Sequence, residues 1–174
     1  MTTSILIRDE QSADAAQIAA VTLAAFATLE ISGHTEHYIV DALRAAGALT
    51  VSLVAEIDGR IVGHIAFSPV RMSDGSAGWY GLGPVSVAPD LQRRGIGTAL
   101  ISEGLARLRA IGASGCCLVG HPAYYGRFGF SNPPELALAG VPPEVFFALS
   151  FTGQTPRGEV VFHDAFKATG PTPA

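Results

Sequence analysis

The chain has 174 residues, with 11 Lys and Arg against 15 Asp and Glu and a formal net charge of −4 at pH 7. That length supports one sizeable core without staples, and the shortage of cations argues against a general nucleic-acid binder, which neutralises phosphates with clustered Lys and Arg. With 48% apolar and 15% charged residues, disorder throughout is excluded.

Residues 4–8 read as a short strand, with Ile5 and Ile7 on one face and Leu6 and Arg8 on the other. Asp14, or Ser12 before it, opens a helix to about residue 27, and 35–46 forms a second helix closed by Gly47. Strands 51–57 and 60–67 are joined by Asp58-Gly59, a hairpin signal because both residues tolerate positive φ. Residues 72–78 read as a polar loop. Extended structure returns at 79–87, where Pro84 cannot donate to a ladder and marks an edge or a bulge. A long helix runs from Gln92 or Gly95 to Ile111, with Ile101, Leu105 and Leu108 at helical spacing. Then come a strand at 116–119, a short helix at 123–128 stopped by Gly129, and strands at 145–151 and 159–162. The phenylalanines at 146, 147 and 151 fit the core better than a subunit contact. This order predicts an α/β fold with a mixed sheet, in which the unit from 79 to 119 holds its two strands parallel. One domain is expected over 1–167, with 168–174 as a tail.

Cys116 and Cys117 are adjacent, a poor geometry for a disulfide, and two thiols alone do not make a structural zinc site. They read as reduced, buried thiols. No signal peptide and no apolar stretch of membrane-spanning length is seen, so the expected location is the cytoplasm, with neither membrane nor nucleic acid as partner. The histidines at 34, 37, 64, 121 and 163 are scattered, and no metal is expected.

The most informative stretch is VSVAPDLQRRGIGTAL, residues 85–100. A strand ends, a short turn follows, and a helix opens on Gly95 and Gly97. The first-turn amides of a helix have no intrahelical acceptor, and the helix dipole adds positive potential there. Glycines let an anion approach those donors, with Arg93 and Arg94 adding attraction and Thr98 a hydroxyl. The segment lacks the Gly-Lys-Ser/Thr of a Walker loop and the third glycine of the dinucleotide fingerprint. The plainer alternative is that the glycines serve tight helix–strand packing. After the next strand comes HPAYYGRFGF, residues 121–130. In a parallel βαβ unit it should flank the same crevice as the glycine turn, since both follow the carboxyl ends of their strands. A tyrosine there can donate a proton, or it can simply be a packed aromatic.

Together these two segments, in this order and separation, resemble the acyl-CoA-dependent N-acetyltransferase superfamily, GNAT, and most of all its YhbS-like predicted bacterial acetyltransferases. The resemblance spans residues 4 to about 163. It implies a strongly twisted, partly splayed mixed sheet with helices on both faces, and acetyl-CoA as acyl donor without a metal. By position, the backbone of Val85 and Val87 would pair with the pantetheine arm. Gln92, Arg93, Arg94, Gly95, Ile96, Gly97 and Thr98 would hold the pyrophosphate. Tyr125 would protonate the departing thiolate. The implied chemistry is direct transfer to a small-molecule or peptide amine in a ternary complex, with Val85 N–H polarising the thioester carbonyl. A covalent intermediate on Cys116 or Cys117 is disfavoured by their place in a buried strand. For a base, Glu30 is the first candidate, ahead of His34, Glu36 and His37. His64 reads as a packed or hydrogen-bonded histidine. His121 stands where related sequences often have Asp before Pro, which puts an Asp-based role there in doubt. A homodimer is implied by analogy. The competing class is a GNAT-like module that binds acyl-CoA without turnover.

Overall fold

The computed structural model describes residues 4–27, 29 and 32–171. In chain order it forms β1 (Leu6–Asp9), a 3-10 turn (Ser12–Asp14), α1 (Ala15–Phe26), α2 (Glu36–Ala45), β2 (Val51–Ile57), β3 (Arg60–Pro69), β4 (Arg71–Met72) and β5 (Trp79–Val87). These are followed by α3 (Ile96–Ala110), β6 (Gly115–Val119), α4 (Pro122–Tyr125), β7 (Leu136–Leu138), β8 (Phe146–Ser150) and β9 (Gly158–Val161). The fold is mixed α/β, as the sequence predicts.

The chain divides into two compact units, and β5 begins in one and ends in the other. The first comprises Met1–Phe67, Gly83–Gly104 and Asp164–Ala174. Here β2 pairs antiparallel with both β1 and β3. The Asp58-Gly59 hairpin starts in register at Ile57↔Arg60, but a bulge between Ala55 and Glu56 shifts it by one, so that Val54 faces His64 and Ser52 faces Ala66. Because strand side chains alternate with period two, this slip decides which face His64 shares. On the opposite face a Cβ at Gly63 would meet Leu100 and Ile96 of α3 at 3.1 and 3.3 Å, so α3 packs there against bare backbone. The helix is buried through Ile96, Leu100 and Ile101. On α2, Ile39 and Leu43 pack with Ala48 and with Ala165 from the 3-10 turn Asp164–Lys167. That turn was not evident in sequence, since four residues are too few to show a period.

The second unit comprises Ser68–Leu82 and Leu105–His163. β5 runs parallel to β6 from Trp79↔Gly115 to Gly81↔Cys117, as expected for the βαβ unit, and β6 pairs antiparallel with β8. A small second sheet has the order β4-β9-β7. Trp79, Cys117, Phe146, Leu136 and Val160 share one core cluster, and Phe147 is also buried, which places both phenylalanines inside as expected. Phe151 lies under the Arg109 guanidinium, 4.2 Å from its ring centre. The structure departs from the sequence reading in three places. Arg71–Met72 is a strand paired with Val160 and Val161, within a stretch read as loop from Met72 onward, and β7 lies between 129 and 145, where no element is read from the sequence. Strands of two and three residues are too short to show alternation. Ile111 lies beyond the helix end and is 55% exposed, so it does not join the apolar stripe.

Candidate active site

In the first unit, β5 ends at Val87 and the 3-10 turn Pro89–Leu91 leads into α3. Val85 and Val87 are half-buried, while Ser86 between them is buried. The turn is tied back to its strand by Gln92, whose Nε2 donates to the Val87 carbonyl at 3.1 Å. Gln92 is therefore a strut of the turn by its side chain. Arg93 has φ +64° and Gly95 φ +86°. Left-handed residues alternating with ordinary ones turn successive N–H groups towards one concave side, an anion-binding nest. For Gly95 this is tolerable without strain, whereas for Arg93 it is an uncommon conformation of the sort held at functional sites. The Gly95 carbonyl accepts from Ala99 N at 3.0 Å, making Gly95 the residue that opens the helix. The amides of Gly95, Ile96 and Gly97 thus stand in the first turn without an intrahelical acceptor. A Cβ at Gly95 would meet nothing within 4 Å, so open space lies in front of it. That observation counts against a purely packing role at Gly95.

Residues 92–95 are exposed, Ile96 is buried, and Gly97 and Thr98 are half-buried. Among the described residues, Arg93 and Arg94 have no carboxylate partner, whereas Arg60 lies 3.9 Å from Asp90. A cavity of about 620 Å³ opens beside the turn, floored by Ile57, Val62 and Ile96 and flanked by Arg60 and Arg94. That volume lies within the range of small-molecule sites.

Tyr125 belongs to the second unit and closes α4. Its ring stands among Tyr124, Phe130 and Phe147, with centres 5.0, 6.0 and 6.0 Å away. Gly120 makes room for it, since a Cβ there would collide with the ring. Among the described residues its hydroxyl has no hydrogen-bond partner, and burial pushes the phenol up to about 12. The group is therefore held protonated at neutral pH, the state a proton donor must be in. His121 caps α4: its Nδ1 accepts from Ala123 N at 3.1 Å. An imidazole thus performs the capping that an Asp would perform at this position, which resolves the structural half of that departure.

Glu30 lies outside the described residues. Of the other base candidates, Glu36 accepts from Ser32 Oγ at 2.6 Å, His34 Nε2 lies 3.3 Å from the Leu29 carbonyl, and His37 stacks on Tyr38 at 4.0 Å. Cys116 and Cys117 are fully buried free thiols, and burial raises both above the ordinary thiol range, away from a nucleophilic thiolate.

A polar cluster in the first unit went unread in the sequence. Glu10 receives Arg44 Nε at 2.8 Å and Arg44 Nη2 at 3.1 Å, and Ser52 Oγ donates to Glu10 Oε1. The same Ser52 Oγ lies 2.8 Å from His64 Nε2. These partners hold Glu10 well below the usual carboxylate range despite its partial burial. The signal available in sequence was a histidine in an apolar strand. The other members, Glu10, Arg44 and Ser52, come from the segment after β1, from α2 and from β2, and the meeting of His64 with Ser52 depends on the bulge.

In this α/β fold, exposed main-chain donors and two arginines without a carboxylate partner among the described residues stand at the start of α3, an arrangement suited to an anion. The sequence model of the Acetyltransferase (GNAT) family matches residues 18–130, and the chain belongs to that family. It is 36% identical over 127 residues to the uncharacterized N-acetyltransferase YhbS of Escherichia coli K12, covering 72% of this chain and 73% of that protein. Among solved structures, a GNAT family acetyltransferase from Brucella melitensis in complex with acetyl-CoA is 52% identical. The match has a TM-score of 0.85 and covers 95% of this chain and 99% of that one. YhbS from Escherichia coli in complex with CoA gives the same TM-score at 30% identity, covering 98% and 96%. Among the described residues, no helix is long and apolar enough to cross a membrane.

Proposed function

We propose that this protein transfers an acetyl group from acetyl-CoA directly to an amine, on a small molecule or a peptide, without a covalent enzyme intermediate or a metal. The observation that carries the reading is the turn at 93–97. Its left-handed residues, open space at Gly95 and arginines without a carboxylate partner among the described residues suit a diphosphate, and similar chains have been crystallised with acetyl-CoA and CoA.

In this mechanism the backbone of Val85 and Val87 extends a sheet-like pairing along the pantetheine arm. The amides from Arg93 to Thr98 bind the pyrophosphate, where helix dipole and guanidinium charge act on the same anion. The neutral amine attacks the thioester carbonyl, polarised by Val85 N–H, and the tetrahedral intermediate collapses as the C–S bond breaks. The electron pair leaves on sulfur, which takes the Tyr125 proton. Burial keeps the phenol protonated, so it is available as a hydrogen-bond donor that stabilises the departing sulfur as its proton is supplied. The buried, protonated state of Cys116 and Cys117 supports direct transfer over an acyl-cysteine route.

The test is release of free thiol from acetyl-CoA across a panel of amines, polyamines, amino acids and peptides. Amine-dependent release supports the transferase. Tight acetyl-CoA binding with no release from any amine would instead make the protein a binding module.

A further inference from the structure

Tyr125 sits at the end of a short loop that closes on itself within the second unit. The loop leaves β6 at Gly120, whose N–H donates to the Val145 carbonyl at 2.9 Å. The Tyr125 ring returns to lie against the bare Gly120 backbone, where a Cβ would collide with it. Between the two, α4 makes a single turn. Pro122 has no N–H to satisfy, which leaves Ala123 and Tyr124 as the first-turn amides that need acceptors. Tyr124 donates to the His121 carbonyl at 3.2 Å, and Ala123 donates to His121 Nδ1 at 3.1 Å. His121 thus answers both amides of the turn that carries Tyr125.

The hydrogen on this ring is placed by its partner. A backbone N–H only donates, so Nδ1 must offer a lone pair, and neutral His121 carries its hydrogen on Nε2. His121 is exposed, so a proton can reach the ring from water. Binding one at Nδ1 turns the acceptor into a donor that faces the Ala123 donor, and the cap is lost. An Asp in this place would remain an ionised acceptor at neutral and mildly acidic pH, whereas histidine is the residue type that changes charge there. The titratable and charged side chains on the elements around His121 are Tyr124, Tyr125 and Arg127 of its own segment and Glu144, which precedes the Val145 that holds Gly120. Arg127 is turned onto Tyr124, with Nε donating to the Tyr124 carbonyl at 2.9 Å and the guanidinium 4.4 Å from the ring centre.

We propose that His121 is a positioning residue for Tyr125, and that one proton taken up at its Nδ1 releases the cap of α4, frees the Tyr125 hydroxyl from its place and slows acyl transfer in acid. This rests on the transferase reading above and adds to it a residue that acts on the reaction only through another. The change consists of one N–H bond formed at Nδ1, with the proton drawn from water, and one hydrogen bond broken at Ala123. Both reverse when the proton returns to solvent. The capped loop binds one proton fewer than the uncapped loop, so the cap is complete at alkaline pH and is lost as pH falls. Burial holds the Tyr125 phenol protonated throughout this range, so the acid sensitivity belongs to the placement of the donor and not to its protonation.

The decisive variants are His121→Ala and His121→Asp, assayed with the native chain for amine-dependent thiol release across pH. At alkaline pH His121→Ala should lower kcat roughly 3- to 30-fold, the range set by loss of an N-cap, with the KM for acetyl-CoA within about threefold. His121→Asp should restore that kcat. The ratio of His121→Asp to native kcat should then rise, by a similar factor of roughly 3 to 30, from alkaline to mildly acidic pH. Protonation of the amine acts on both chains alike and cancels in this ratio. A flat ratio overturns the proposal, while thiol release by the native chain keeps the transferase reading intact. A native chain inert towards every amine overturns that reading and the catalytic role of His121 with it. Nitrogen NMR on the native chain gives a readout free of turnover. Neutral His121 is expected as the Nε2–H tautomer, and the Ala123 amide signal should titrate together with the ring in the native chain and stay fixed in His121→Asp. An Nδ1–H tautomer, or an Ala123 amide that ignores the titration of His121, would overturn the proposal.

Discussion

The turn that opens α3 and the aromatic pocket of Tyr125, to which the proposed function assigns binding and proton donation, differ in exposure and in the groups they offer. The turn is exposed and offers main-chain donors, left-handed backbone and two guanidiniums without a carboxylate partner among the described residues. Tyr125 is buried, packed against aromatic rings, and has its phenol pushed up to about 12. Exposure suits binding of a multiply charged group, which approaches from water and is met by donors already in place. Burial suits a group that must meet a leaving sulfur as a donor, because desolvation keeps the phenol protonated. A binding region of this kind is sensitive to added bulk, while a catalytic one is sensitive to loss of a single atom.

The sharpest way to break this contrast is Tyr125→Phe. It is expected to reduce kcat by roughly 100- to 1,000-fold and to leave the dissociation constant of CoA within about threefold. Stability should change little, since the lost hydroxyl has no partner among the described residues. Equal effects on kcat and on CoA binding, read by steady-state kinetics and calorimetry, would erase the division of labour. Gly97→Val is the counterpart in the turn. Bulk at the first helical turn should weaken CoA binding about 10- to 100-fold, on the order of 1.4–2.7 kcal/mol, and unchanged affinity would remove the anion site from 95–98.

A smaller effect separates stability from function in the first unit. Glu10→Gln should cost about 1–2 kcal/mol in denaturant unfolding at pH 7, because Arg44 and Ser52 lose a charged acceptor. Folding lowers the Glu10 pKa, so the folded state binds fewer protons than the unfolded one in the acid range. The contribution is complete above the ordinary value of 4.5 and is lost as pH falls below it. The gap between native chain and variant should therefore close in acid, and a gap independent of pH would contradict the assignment. Smallest of all is the effect of Cys116→Ala or Cys117→Ala on turnover, expected within threefold even though each cavity destabilises by roughly 1–2 kcal/mol. Abolished turnover in either would restore a covalent route.

Much of this was legible because the informative residues are local. Gly95 and Gly97 next to Arg93-Arg94, following Pro89-Asp90, announce a strand, a turn and an open helix start within one short window. The Asp58-Gly59 hairpin and the Gly112 and Gly129 stops are local in the same way, and each glycine takes the left-handed conformation there, although α3 ends one residue before Ile111. What was hidden depends on partners far apart in the chain. A regular two-residue hairpin pairs His64 with Leu53, and only the bulge at Ala55/Glu56 moves it to the face of Ser52 and Glu10. No single window contains Glu10, Arg44, Ser52 and His64. The capping role of His121 was hidden differently, since it rests on which ring nitrogen faces Ala123. Strands β4 and β7 exist because β9 pairs with both, and neither carries a pattern of its own.

The central claim is that the turn at 93–98 binds the diphosphate of acetyl-CoA. Calorimetric titration of the native chain with acetyl-CoA, alongside ATP and NADH, tests it most directly. The account predicts saturable one-to-one binding of acetyl-CoA, far tighter than either nucleotide, and a marked loss of that binding in Gly97→Val. No heat of binding with acetyl-CoA, or affinity equal to that for ATP, would contradict it.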